Sequence, residues 1–266
     1  MMAPDRFETY RATPGTNLAH VVGLSIDHTG RVYLVSGGTS GLGLATARRL
    51  VADGAQVWVL GTTAAGVSAS GIPGSVCDVT DEAQVIAAVA ACKLRLRRLD
   101  GAFVNAGIDG GARPATELDV AHFRRVLDVN VTGSFLVARE VARSMIAANE
   151  GGVLVLNASV NALRPEAHFV DYNASKAAVT SLAKSLTLEL APKGIAVHCV
   201  APGYFPTRMT EPYLLNDTTA EELRSLIPAG RFGQPEELAA LVSYLLTPEA
   251  VFLTGGLITI DGGRNI

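Results

Sequence analysis

The chain is poor in cysteine, aromatic residues, charge imbalance and long apolar runs, and each shortage removes a class of function. Its three cysteines, Cys77, Cys92 and Cys199, form neither a disulfide framework nor a Cys-x-x-Cys pair, and its five histidines show no ligand spacing. No structural metal is expected. A net charge of −3 and a pI near 6.0 argue against a nucleic-acid-binding surface, so the basic run Lys93 to Arg98 is read as a solvated helix end. No uninterrupted apolar segment approaches the length of a membrane span. Asp5, Arg6, Glu8 and Arg11 interrupt the stretch where a secretory signal would need its apolar region. A cytoplasmic protein without a membrane partner is the expectation.

What is present points to a large core. With 266 residues, 48% of them hydrophobic and 18% charged, one α/β domain is the default. Residues 1–28 show little periodicity and contain Pro14 and Gly15, so they are read as an arm preceding a domain at 29–266. From Arg31 onward, short β-rich runs alternate with helical patterns. Strands are expected at 32–35, 57–60, 102–104, 153–156, 195–200 and 257–260, and helices near 42–53, 81–97, 116–148, 172–192 and 235–246. Continuous Val/Leu strands joined by helices predict a Rossmann-type doubly wound parallel sheet, whose ligands bind beyond the carboxyl ends of the strands.

The first of those ends is glycine-rich. Gly37, Thr39, Ser40, Gly41, Leu42 and Gly43 follow the first strand and open a helix in a Gly-x-x-x-Gly-x-Gly pattern. Glycines allow a tight turn and close approach of a pyrophosphate to the free amides of the helix N-terminus. Further on, Tyr172 and Lys176 stand four residues apart on a predicted helix, with Ser159 thirteen residues before the tyrosine. That step places phenol and ammonium on one helical face, where the positive charge favours the phenolate. A positioned hydroxyl of this kind suits a carbonyl that gains a hydride.

Taken in order, these motifs resemble the short-chain dehydrogenase/reductase family from about Gly30 to Gly263. The resemblance rests on the glycine loop, on Asp78-Val79 in Cys-Asp-Val-Thr, on Asn105-Ala106-Gly107, and on Asn130 in Asp-Val-Asn-Val-Thr-Gly. Ser159, Tyr172 with Lys176, and Pro202-Gly203 with Thr207 complete it. It implies an NAD(P)(H)-dependent oxidoreductase interconverting a carbonyl and a secondary alcohol. Tyr172 would be the general acid and base, Ser159 would position the substrate oxygen, and Lys176 would hold the nicotinamide ribose. Asn130 would support a water leading from Lys176 to solvent. Asp78 would accept from adenine, Asn105 to Gly107 would shape the adenosine wall, and Thr207 would bond the nicotinamide carboxamide. A homotetramer joined through the helices near 116–148 and 172–192 and the last strand is implied as well.

Other positions are less typical. The second strand ends in Gly61-Thr62-Thr63 where an acidic residue would bind the ribose hydroxyls of NAD, so NADP is favoured over NAD, with Thr62 as a contact. The segment after Leu60 is short and suggests a reduced helix. His198 stands where relatives carry asparagine and is expected to be buried and hydrogen-bonded. Substrate contacts are expected from Arg164 and His168, in the loop between serine and tyrosine, and from Tyr204 and Phe205 at the start of a mobile lid over 204–226. The polar character of that loop suggests a polar or hydroxylated small-molecule carbonyl. Two alternatives stand beside this one: a 3-oxoacyl-carrier-protein-type ketoreductase, docking through Arg124, Arg125, Arg139 and Arg143, and a non-catalytic nucleotide sensor on the same fold.

Overall fold

The computed structural model describes residues 25–266. Most of the expected N-terminal arm, residues 1–24, lies outside the described residues. Packing reaches back to His28, whose ring meets the Tyr33 hydroxyl at 2.9 Å and Ser243 Oγ at 3.1 Å.

Seven parallel strands form one sheet in the order β3-β2-β1-β4-β5-β6-β7. They are β1 (Val32–Ser36), β2 (Gln56–Gly61), β3 (Gly74–Val76), β4 (Gly101–Val104), β5 (Gly152–Asn157), β6 (Ile195–Pro202) and β7 (Leu257–Ile260). The order reverses between β1 and β4, which opens a crevice at their carboxyl ends. Period-two alternation divides the core into two layers. Val32 and Leu34 face α3 (Glu82–Leu96), α5 (Gly133–Ala147) and α6 (Val170–Leu190), whereas Tyr33 and Val35 face α1 (Gly41–Ala52) and α9 (Pro235–Leu245). Strands covered on both faces need no polar alternation, which is why they read as continuous apolar runs.

Three differences from the expected elements have local causes. Strand β3 has only Gly74, Ser75 and Val76, too few residues for a readable pattern, and exists through its pairing with Val59, Leu60 and Gly61. The reduced helix expected after Leu60 is present as α2 (Ala64–Ser70), started by Thr63, whose hydroxyl accepts from the Gly66 amide at 3.1 Å, and stopped by left-handed Gly71. The long helix expected over 116–148 starts later, at α4 (Val120–Leu127), where the Asp119 carboxylate accepts from the Ala121 amide at 2.9 Å. It is then interrupted by a π-turn at Asp128–Thr132 before α5 continues. Residues 204–226 carry α7 (Glu211–Leu214) and α8 (Asp217–Ser225). No helix among the described residues is long and apolar enough to cross a membrane.

Candidate active site

The carboxyl ends of β1, β4, β5 and β6 converge on one cavity of about 170 Å³, whose wall includes Gly37, Ser40, Gly41, Leu42, Asn105, Gly107, Ser159, Tyr172, Lys176, Pro202, Gly203 and Thr207. A second cavity, about 450 Å³, continues from it through Gly37 and Gly107 to Thr62, Asp78, Val79 and Ala106. Together they bring one predicted cofactor residue after another onto a single trough. Thr39 stands beside it: a methyl on Gly61 would lie 2.4 Å from Thr39 Cγ2.

The glycine loop is shaped by contact. A methyl on Gly43 would lie 2.2 Å from the Gly37 carbonyl oxygen, and Gly41 holds φ +52° while facing Thr207. Ser40 precedes α1 without a side-chain cap, so its hydroxyl leaves the amides of that first turn open. Those open donors beside a long trough fit the diphosphate of a dinucleotide. Asn105 fastens the loop, donating to Ser36 O at 3.1 Å and Gly37 O at 3.3 Å while accepting from Asn157 Nδ2 at 2.9 Å. Asp78 accepts from both the amide and the hydroxyl of Thr80.

Tyr172 lies in the first turn of α6 and Lys176 one turn later, its Nζ 5.6 Å from the phenol ring centre and donating to Asn157 O at 2.9 Å. Burial pushes the Tyr172 phenol up to about 12, opposed by the neighbouring Ser159 hydroxyl and reinforced by the negative charges of Asp109 and Glu166. Burial also lowers Lys176 to about 8. The sequence expectation that the ammonium favours phenolate is therefore outweighed here by desolvation. Asn130 is fully buried in the π-turn. Its Oδ1 accepts from the Ile108 amide at 2.8 Å, and its Nδ2 donates to Ile108 O at 2.8 Å and Ser175 Oγ at 2.9 Å. Its side chain is thus a tie between the loop after β4 and α6. A methyl on Gly107 would lie 3.1 Å from Asn130 Oδ1 and 3.4 Å from Lys176 Nζ, so the three positions are adjacent.

A third cavity, about 260 Å³, shares Ser159, Tyr172, Gly203, Met209 and Thr210 with the first and extends to His168, Tyr204 and Tyr213. His168 takes a left-handed φ of +69°, uncommon for a residue with a side chain, and its carbonyl accepts from the Arg113 amide at 2.7 Å. Two expected substrate residues are elsewhere. Arg164 is exposed and donates to the backbone oxygens of Arg264 and Ile266 at 2.8 and 3.1 Å, so it anchors the C-terminal segment. Phe205 is buried against Gly233 in the α1/α9 core layer and lines the first cavity, not the third. His198 is fully buried as expected, but neither ring nitrogen has a hydrogen-bond partner among the described residues. The Leu253 backbone approaches it without bonding geometry, and burial lowers its pKa.

Sequence reasoning missed Asn157, Ser175 and Asp109. Asn157 ends β5 two residues before Ser159, a position that strand-end logic marks as site-facing. Ser175 and Asp109 carried no such signal.

A dinucleotide trough joined to a smaller pocket through a serine and a tyrosine defines a nicotinamide-dependent oxidoreductase with a single-sheet Rossmann fold. Comparison with known proteins narrows this. A family model described as Enoyl-(Acyl carrier protein) reductase matches residues 37–265. Levodione reductase of Leifsonia aquatica is 35% identical over 255 residues, covering 89% of this chain and 95% of that one. The crystal structure of levodione reductase superposes with a TM-score of 0.86 over 89% of this chain and 98% of its own. The 3-oxoacyl-(acyl-carrier-protein) reductase MabA of Mycobacterium tuberculosis is 36% identical over 236 residues, covering 89% of this chain and 93% of its own. The chain belongs to the short-chain dehydrogenase/reductase family. It is an NAD(P)-dependent oxidoreductase that interconverts a carbonyl and an alcohol.

Proposed function

We propose that Tyr172 is the general acid in carbonyl reduction and the general base in alcohol oxidation, with Ser159 fixing the substrate oxygen. The observation that carries this is the position of the two residues: they form the shared wall between the trough and the third cavity, the place where a substrate oxygen would meet a proton donor. The nicotinamide cofactor, when bound, supplies or accepts the hydride. Gly37, Ser40, Gly41 and Leu42 would hold its diphosphate, Asp78 and Val79 its adenine, and Lys176 and Thr207 its nicotinamide end. Asn130 holds the loop after β4 against α6, which keeps Lys176 beside Tyr172. Activity on a panel of ketones, sugars and alcohols with both cofactors, run beside Tyr172→Phe, tests the assignment. Undiminished turnover by that variant would refute it.

NADP is the favoured cofactor, because no carboxylate ends β2 to repel a 2′-phosphate and Arg124 and Arg125 join Thr62 on the adenosine wall. A strong NADH preference in catalytic efficiency would overturn that choice. Those contacts also weaken a carrier-protein docking role for these arginines. Arg139 pairs with Glu82 and Glu140, and Arg143 with Glu140, so the second candidate patch is largely neutralised. The substrate is a small carbonyl compound or alcohol that meets His168 and Tyr204, under a lid formed by 204–226. Association into a tetramer is supported by the fully exposed Phe252 with Val251 and Leu253, an apolar patch preceding the last strand. A cytoplasmic location is supported by three free, buried cysteines.

A further inference from the structure

The third cavity has an apolar wall whose charged groups, His168 aside, are of one sign. Asp109 and Glu166 both border it, and among the described residues no lysine or arginine does. Each carboxylate is held in place by a tyrosine. Asp109 Oδ2 accepts from the Tyr213 hydroxyl at 3.0 Å and Oδ1 from the Gly111 amide at 3.3 Å, while Glu166 Oε1 accepts from the Tyr204 hydroxyl. The two are not equivalent. Arg264, buried behind the wall, lies 3.5 Å from Glu166 and offsets part of its charge, whereas Asp109 has no cation among its bonded partners.

We propose that Asp109, assisted by Glu166, makes the pocket selective against anionic carbonyl compounds, so that its substrates are uncharged or cationic ketones and alcohols. This rests on the oxidoreductase function proposed above and specifies its substrate class. A carboxylate-bearing substrate would bring a like charge into the same cavity of about 260 Å³ that the two carboxylates border, close enough for their repulsion to act within the Debye length. The field of both carboxylates reaches the reacting end of the pocket, since both raise the Tyr172 phenol. The rest of the wall, including Phe169, Met209, Leu214 and Leu223, suits an uncharged carbon skeleton. A cationic or hydroxyl-bearing group would find an acceptor at Asp109, because a carboxylate offers about four lone-pair sites and two contacts are present.

The test compares kcat/KM for matched ester and acid ketones, methyl 4-oxopentanoate against 4-oxopentanoate, in the parent, Asp109→Asn and Glu166→Gln. The parent is expected to prefer the ester, and Asp109→Asn to reduce that preference by about tenfold, with a smaller reduction for Glu166→Gln. The preference of the parent should also fall as ionic strength rises. Each ratio is taken within one enzyme, so partial loss of folded protein cancels. Turnover with a ratio unchanged by Asp109→Asn, or a parent that prefers the acid, overturns the proposal alone. A parent that turns over neither these ketones nor any of the wider panel overturns the oxidoreductase function beneath it as well.

Discussion

Replacing Lys176 by methionine should abolish activity and yet make the cofactor-free protein more stable at neutral pH. The ammonium is almost fully buried, and its pKa is lowered from 10.5 to about 8 by burial. The folded state therefore disfavours the charged lysine, relative to the unfolded chain, by about 3 kcal/mol. The sign follows from proton binding. Below pH 8 the lysine is charged in both states and the whole penalty applies; between pH 8 and 10.5 the unfolded chain binds more protons, so stability rises with pH; above 10.5 the penalty is gone. Methionine has a similar length and no charge, but it leaves the Asn157 carbonyl without the 2.9 Å bond from Nζ, at a cost of about 1 kcal/mol. A net gain of about 1–2 kcal/mol remains, roughly 3 to 6 °C in melting temperature for a chain of this size. Thermal and urea unfolding of parent and variant at equal protein concentration, at pH 7 and pH 10, measures it. The gap should close toward pH 10. A variant less stable than the parent at pH 7 would show that burial of this ammonium carries no such penalty.

Three further outcomes follow from the same structure. Gly43→Ala lies in the first turn of α1, where alanine ordinarily favours helix by about 1 kcal/mol, but the added methyl meets backbone at 2.2 Å. Overpacking should prevail, lowering stability by about 1–3 kcal/mol and weakening dinucleotide affinity in a fluorescence titration; an unchanged affinity would mean the loop opens freely. Asn130→Ala removes three hydrogen bonds, two part-buried and one buried, and should cost about 2–4 kcal/mol in urea unfolding, whereas a loss below about 0.5 kcal/mol would mean that the tie to Ile108 is dispensable. Because burial and the two carboxylates raise Tyr172, alcohol oxidation, which needs the deprotonated phenol, should quicken as pH rises above neutrality, and Asp109→Asn should move that rise to lower pH. A pH profile unmoved by the substitution would argue that Asp109 does not act on the phenol.

Local chemistry made much of this protein legible. Apolar runs joined by helical periods specify a parallel sheet because strands buried on both faces have no solvent side to mark with polar residues. The glycine loop follows from the backbone approach that only a missing Cβ allows, and the Tyr172 to Lys176 spacing from the helical repeat. Those signals act over a few residues, so sequence alone carries them. The tertiary structure decided what depends on distant partners. Asn130 sits in a π-turn because Ile108 and Ser175 hold its side chain, and no periodicity announces that break. Arg164 was drawn from the substrate to the C-terminal carbonyls, and Phe205 into the core beside Gly233, because the chain ends and the α1/α9 layer lie there only after folding. The same assembly set Asp109 and Glu166, 57 residues apart in sequence, on one small cavity beside Tyr172. Charge selection in that pocket is therefore a property of the fold: the two carboxylates act together only because loops after β4 and β5 meet over the same strand ends.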